Sequence, residues 1–316
     1  MPERPEIAPP TSPVTAAALE PPVPIPVGGA RARTPREIAW LRFKRHKLAL
    51  AGLVVLGILL LLAVLAPLLT PFEYSKISTG PFLQGPSRAH WFGTDNIGRD
   101  TFTRVLFGGR ISLLVGISVA LWAGVLGTLV GSLAGYYGGW IDQVLMRITD
   151  LFLSIPFLVV LILSVNLLSG TLFDIVLVLS LFFWMPNARI VRGVVLSLKE
   201  KEFVEAARSL GASNRRIIFS HILPNALGPI IVVITLGVAT AILTESALSF
   251  LGFGVQPPTP TWGNLLAGAR NFTLIQPAMV WFPGLFILLT VLAVNLVGDG
   301  LRDALDPHQE LRAREL

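Results

Sequence analysis

The chain has 316 residues, 53% hydrophobic and only 14% charged, with 25 Lys and Arg against 19 Asp and Glu. A soluble domain carries about 25% charged residues, so an ordinary soluble enzyme is excluded. The lack of cysteine also excludes disulfides, thiolate metal sites and cysteine nucleophiles. A net charge of +6 would suggest nucleic acid as a partner for a soluble chain. Here the basic residues are biased in position beside apolar runs, which explains the charge better, and no nucleic acid is expected.

Residues 1–30 hold nine prolines and few apolar groups, which predicts a disordered tail. RARTPREIAWLRFKRHK (31–47) follows, with seven Lys or Arg against one Glu. The next run, LALAGLVVLGILLLLAVLAPLL, exceeds the about 7–15 apolar residues of a secretory signal. It reads as a retained first helix near 48–69, with the basic block marking its cytoplasmic end. Further uncharged runs cover 111–141, 151–173, 226–244 and 271–298, and a bilayer span needs roughly 20 apolar residues. Six helices are expected, near 48–69, 111–135, 151–170, 175–195, 226–244 and 278–297. With the N-terminus inside, 19 of the 25 Lys and Arg fall in cytoplasmic segments, as the positive-inside tendency requires. Both termini are then cytoplasmic. The fourth helix needs Arg189 and Arg192 in its inner turns, snorkelling or facing protein.

Between the spans, FGTDNIGRD predicts a tight turn with local salt bridges among Asp95, Arg99 and their neighbours, and a helix cap at Asp100. Gly127, Gly131 and Gly135 recur every four residues on one face of the second helix, which suits close helix packing. VQPPTPTWG is too rich in proline for helix or central strand, and Trp262 is expected as an anchor at headgroup level. Glu245 is expected to close the fifth helix and to pair or cap locally. Asp299 and Asp303 read as solvated or interface charges.

The charged stretch EFVEAARSLGASNRRIIFSHILPN (202–225) interrupts this apolar pattern on the cytoplasmic side. Ser197 and Glu200 fit a capping box, so a short helix is expected over about 198–210, with Phe203, Ala206, Ala207 and Leu210 on one face. Gly211 can take the left-handed conformation that ends it. Ser213 can cap a second helix whose Ile217, Ile218 and Ile222 lead to Pro224. This elbow fits either a helix lying in the lipid interface or a docking surface on which Ala206 and Ala207 allow close approach to another protein.

Glu205-Ala206-Ala207, then Gly211, then Leu223-Pro224 resembles the EAA loop of ABC importer permeases, although His221 stands where that family carries isoleucine. HILPN followed by ALGPI resembles the peptide/nickel-type subgroup. HWFGTDNIGRDTFTRVLFGGRISLLVG (90–116) and ESALSFLGFGVQPPTPTWGNLL (245–266) are similar to that subgroup as well. The resemblance implies an all-α polytopic membrane protein of the prokaryotic cell membrane, with the type I ABC importer fold of one N-terminal helix and a five-helix core. The expected divisions are a tail at 1–30, a basic segment with the first helix at 31–72, and an extracytoplasmic loop at 73–110. The core follows at 111–300, with a coupling loop at 197–225, and a C-terminal tail at 301–316.

The same resemblance implies that Glu205, Ala206, Ala207, Gly211, His221, Leu223 and Pro224 couple the chain to an ATPase. It also implies a second homologous permease, two cytoplasmic ATPases and an extracytoplasmic substrate-binding protein as partners. ATP and magnesium would then sit on the ATPases, and this chain would hold no cofactor. The residues agree: none of the five lysines (44, 47, 76, 199, 201) follows a glycine, so no phosphate-cradling G-x-x-x-x-G-K-[ST] loop exists. The four histidines (46, 90, 221, 308) lie outside the spans, so neither a metal site nor a catalytic centre is expected. A secondary transporter would need ionisable residues at the bilayer midplane, and the spans carry almost none.

Overall fold

The computed structural model describes residues 34–167 and 171–306. The tail expected at 1–30, and His308 near the other end, lie outside them. Among the described residues the chain is helical, with a single isolated bridge between Thr94 and Asp100.

Helix α1 (Pro35–Arg45) carries the basic block, and α2 (Lys47–Val64) with the short α3 (Ala66–Leu69) forms the first span. His46 separates α1 from α2, and its ring nitrogen accepts from the Ala49 N–H at 3.0 Å. α2 packs its Ala49 and Gly52 face on α12 (Ala278–Leu305), where a Cβ at Gly52 would lie 2.7 Å from the Ala293 carbonyl. Ile58 and Leu60 on its other side are exposed, as suits lipid.

The second span, α4 (Thr101–Tyr137), begins ten residues before the expected start at 111. The uncharged run understated it because Arg104 and Arg110 sit within the helix. The Arg104 guanidinium donates to the Tyr74 carbonyl at 3.0 Å, and Arg110 lies over the Phe107 ring. Asp100 caps α4 as expected, accepting from the Thr103 N–H and hydroxyl at 2.7 Å each.

Gly127, Gly131 and Gly135 pack against α7 (Leu172–Lys199). A Cβ at Gly127 would lie 2.8 Å from the Trp184 carbonyl, and one at Gly135 2.9 Å from the Arg192 carbonyl. The expected close packing is therefore present, and the rising register shows that α4 and α7 run parallel. Two parallel neighbours require a return crossing between them.

That crossing is not the single helix expected over 151–170. It consists of α5 (Gly139–Ser154) and α6 (Phe157–Leu167), bent by 85°. Pro156 accounts for the break, since it has no N–H to continue the ladder. Among the described residues five helices are long and apolar enough to cross a membrane, and the bent pair, taken as one span, makes a sixth. Both Arg residues of the fourth span are paired: the half-buried Arg192 donates to Asp142 at 2.5 and 2.6 Å, and the exposed Arg189 pairs with Asp150.

Beyond the elbow, α10 (Leu223–Phe250) runs antiparallel to α4, with Gly124 against Ile234 and Gly116 against Ile242. The helix extends past Glu245, which therefore does not close it. The carboxyl is buried and accepts from Ser249 at 2.6 Å and Ser112 at 3.4 Å, a local pairing as expected.

The short α11 (Trp262–Ala269) follows the proline-rich loop. Trp262 is not a headgroup anchor. It is 1% exposed, its indole N–H donates to the Val105 carbonyl at 3.0 Å, and its ring fills the slot opened by Gly109. The turn before α4 is held locally: Asp95 accepts from Arg99 Nε at 2.6 Å, and His90 Nδ1 lies 2.8 Å from Asp100.

Candidate functional site

The elbow joins α7 to α10. The capping box expected at Ser197 and Glu200 does not form, because α7 continues to Lys199. Ser197 instead donates back to the Val194 carbonyl at 2.8 Å, and Glu200 is the C-cap of α7. α8 is consequently shorter than expected, Glu202–Ser209, with Lys201 at its N-cap.

Its end is closed by two reverse bonds. Gly211 N–H donates to the Arg208 carbonyl and Ala212 N–H to the Ala207 carbonyl, both at 3.0 Å. This is a Schellman motif, which places the residue after the cap in the left-handed region. Gly211 has φ +78°, as its sequence position predicts. Ser213 then caps α9 (Asn214–Arg216), accepting from the Arg216 N–H at 3.4 Å.

A π-helical turn, Ile217–Ile222, carries the chain into α10. Pro224, in the first turn of α10, has no N–H to offer the Ser220 carbonyl, which favours the wider turn. Asn225 also donates to the His221 carbonyl at 2.6 Å.

Packing divides the expected contact residues. Val204 and Ala207 lie inward on Ile217, Ile218 and Ile222, in one apolar cluster with Tyr136 and Val195. Ala207 is only 8% exposed, so its close approach is to its own chain and not to another protein. The reason is length: an eight-residue helix has one seam of contact, and the pair spaced i, i+3 at 204 and 207 takes it. The face expected from Phe203, Ala206, Ala207 and Leu210 is therefore split.

Glu205, Ala206, Gly211 and Pro224 are exposed, while His221 and Leu223 are half-buried at the π turn. Phe203 is 39% exposed, Leu210 88% and Phe219 55%. The exposure of Phe219 was not anticipated, although a phenylalanine between two buried isoleucines and a serine carried the signal. The tie from the Tyr136 hydroxyl to Asn214 Oδ1, 2.8 Å, was also missed. It pins the elbow to the end of α4.

An all-helical bundle of six crossings with a polar elbow before the fifth corresponds to a known family. Residues 127–310 match the model of the binding-protein-dependent transport system inner membrane component. The chain belongs to this family. Residues 34–86 also match the N-terminal transmembrane domain of oligopeptide transport permease C.

A dipeptide transport system permease protein of Alkalihalophilus pseudofirmus is 46% identical over 291 residues, covering 92% of this chain and 96% of that protein. An oligopeptide transport system permease protein of Bacillus subtilis is 43% identical over 269 residues, covering 85% and 88%. A glutathione transport system permease protein of Pectobacterium atrosepticum is 44% identical over 281 residues, covering 87% and 92%. The chain is thus the membrane translocation subunit of an ABC importer, with the type I importer fold.

Proposed function

We propose that this permease forms half of a translocation pathway for short peptides and related small solutes, and that its elbow couples the pathway to cytoplasmic ATPases. One observation carries the coupling role. The inner side of the elbow closes on its own chain, while Phe203, Leu210 and Phe219 stand outward on a rigid, capped support beside Glu205 and Ala206. Glu205 and Ala206 meet the ATPase, Ala207 and Gly211 hold the shape of the contact, and His221, Leu223 and Pro224 form the joint that passes motion into α10.

Two ATPases bind ATP and magnesium and hydrolyse the nucleotide, so this chain is non-catalytic and binds no cofactor. A second, homologous permease completes the pathway, and an extracytoplasmic binding protein delivers the solute. ATP binding closes the ATPases, the elbow moves with them, and the pathway alternates between its two openings. The permease lies in a prokaryotic cell membrane with both termini cytoplasmic. The solute class rests on relatives named for dipeptide, oligopeptide and glutathione transport.

Purification in mild detergent tests the assembly: this chain should arrive with two ATPase subunits and another permease, and arrival alone would refute the reading. Orientation is tested by single cysteines in a chain that has none of its own. Lys76→Cys and Leu274→Cys should react with an impermeant thiol reagent on intact cells, and Lys201→Cys only after permeabilisation. Exposed Phe and Leu at the elbow also favour a second reading, a helix seated in the lipid interface.

A further inference from the structure

Two helix defects coincide at one depth. The α5–α6 break at Pro156 lies beside Phe182, whose ring is 5.8 Å from that of Phe157 and 6.4 Å from that of Phe152. Phe182 is ten residues into α7, about 15 Å along the axis at about 1.5 Å per residue. That is the middle of a hydrocarbon layer about 30 Å thick. Pro186, one turn on, lies inside α7, so the Phe182 carbonyl has lost its helical donor. Next to both defects is a groove of about 380 Å³ whose lining includes Ile155, Pro186, Asn187, Gly237 and Thr240.

Ser154, Ile155 and Pro156 are exposed. A helix break strands the last carbonyls before it and the first N–H groups after it. The Ser154 hydroxyl donates to the Leu151 carbonyl and the Ile155 N–H to the Phe152 carbonyl, and the groups that remain stranded are tolerated inside protein or along a water-filled cavity but not against lipid. The groove adds two polar side chains, Asn187 and Thr240, to a lining that is otherwise apolar. The Asn187 amide has no hydrogen-bond partner among the described residues. The Thr240 hydroxyl donates to the Leu236 carbonyl at a loose 3.4 Å, leaving its own lone pairs free. Among the described residues, none that lines the groove is charged.

We infer that the face formed by the Pro156 break, Pro186 of α7 and the Asn187–Thr240 groove is this chain's water-lined wall of the translocation pathway, and that it contacts the amide backbone of a peptide in transit. This deepens the proposed function and rests on it for the identity of the solute. Uncharged amide and hydroxyl groups pair with the N–H and C=O that every peptide shares. The apolar remainder tolerates varied side chains without holding any of them tightly. The wall therefore passes peptides with little choice among their side chains.

The test uses the assembled transporter, each permease carrying one cysteine at Ile155, Asn187 or Thr240, with Ile58→Cys and Leu60→Cys as lipid-facing controls. The probe is a charged, membrane-impermeant methanethiosulfonate. Only the thiolate reacts, and each unit of pKa raised by apolar surroundings cuts the rate tenfold, so the groove positions should label at least roughly ten times faster than the controls. Labelling should change with ATP, and the adduct at Thr240→Cys should abolish dipeptide uptake. Asn187→Leu should lower uptake of dipeptides with small and with large side chains by the same factor. If the three groove cysteines label as slowly as the controls, with and without ATP, the face is packed dry against the second permease and the inference fails, even where uptake is normal. If they label quickly but the unmodified transporter takes up no peptide, the wall stands and the solute assignment fails.

Discussion

The elbow and the cap around Trp262 solve opposite packing problems. In the cap the large groups turn inward. Trp262 fills the slot at Gly109, Phe92 stacks on Phe282, and the buried Glu245 carboxyl takes its hydrogen bonds from Ser112 and Ser249 of the same chain. In the elbow the inward groups are Ala and β-branched residues, and the large ones, Phe203, Leu210 and Phe219, turn outward. The cap is a finished unit, whereas the elbow is finished on one side only. Such a difference separates a part that holds shape from a part that awaits contact.

Breaking the cap should have the largest effect. Trp262→Ala removes a ring 1% exposed together with its hydrogen bond to Val105, and truncating a buried Trp costs about 3–5 kcal/mol. The variant should show a clear fall in thermal midpoint in detergent and reduced abundance in the membrane. Unchanged stability would mean that the cap is not the self-contained unit described, and the contrast with the elbow would lose its firmer half.

How much of this was legible in the residues depended on whether the cause was local. The Asp100 cap, the left-handed Gly211 and the Ser213 cap each follow from one or two neighbours, and all three are present. The Gly127, Gly131 and Gly135 stripe announced a close approach, although only the fold shows that α7 makes it. The misread features were those decided by distant partners. Trp262 looked like an interface anchor because nothing in its own loop reveals that α4 offers a glycine slot. Ala206 and Ala207 looked equivalent because a helix face cannot be assigned inward or outward until Ile217, Ile218 and Ile222 fold back beneath it. The α4 start was missed because a charge count ended the span at Arg110, while the chain buries Arg104 against the Tyr74 carbonyl.

That last pair of alanines sharpens the comparison within one turn of helix. Ala207→Trp drives a ring into the apolar seam, where overpacking costs about 1–3 kcal/mol, so the thermal midpoint should fall. Ala206→Trp adds the same ring on an exposed surface, where substitutions usually change stability by less than about 0.5 kcal/mol. It should leave the midpoint unchanged and still prevent retention of the ATPases. Equal destabilisation by the two would show that the elbow has no free side.

The smallest effect on stability is expected at the outermost groups, and there the two readings of the elbow part. Leu210 and Phe219 are mostly exposed and lie outside the apolar cluster, so Leu210→Ser with Phe219→Ser should alter the stability by no more than about 0.5 kcal/mol per site. If these side chains fill a groove on an ATPase, the double variant should reach the membrane at normal abundance and lose the ATPases during purification. Only a minority of interface residues cost more than about 1 kcal/mol when truncated, so loss of the ATPases would mark these two side chains as central to the contact. If they instead sit in the lipid interface, the ATPases should be retained, and a peptide covering 201–222 should bind anionic vesicles, with affinity lost on the same two substitutions. Retention of the ATPases together with normal uptake by the double variant would remove the coupling role from this face. The open side of the elbow would then belong to the membrane.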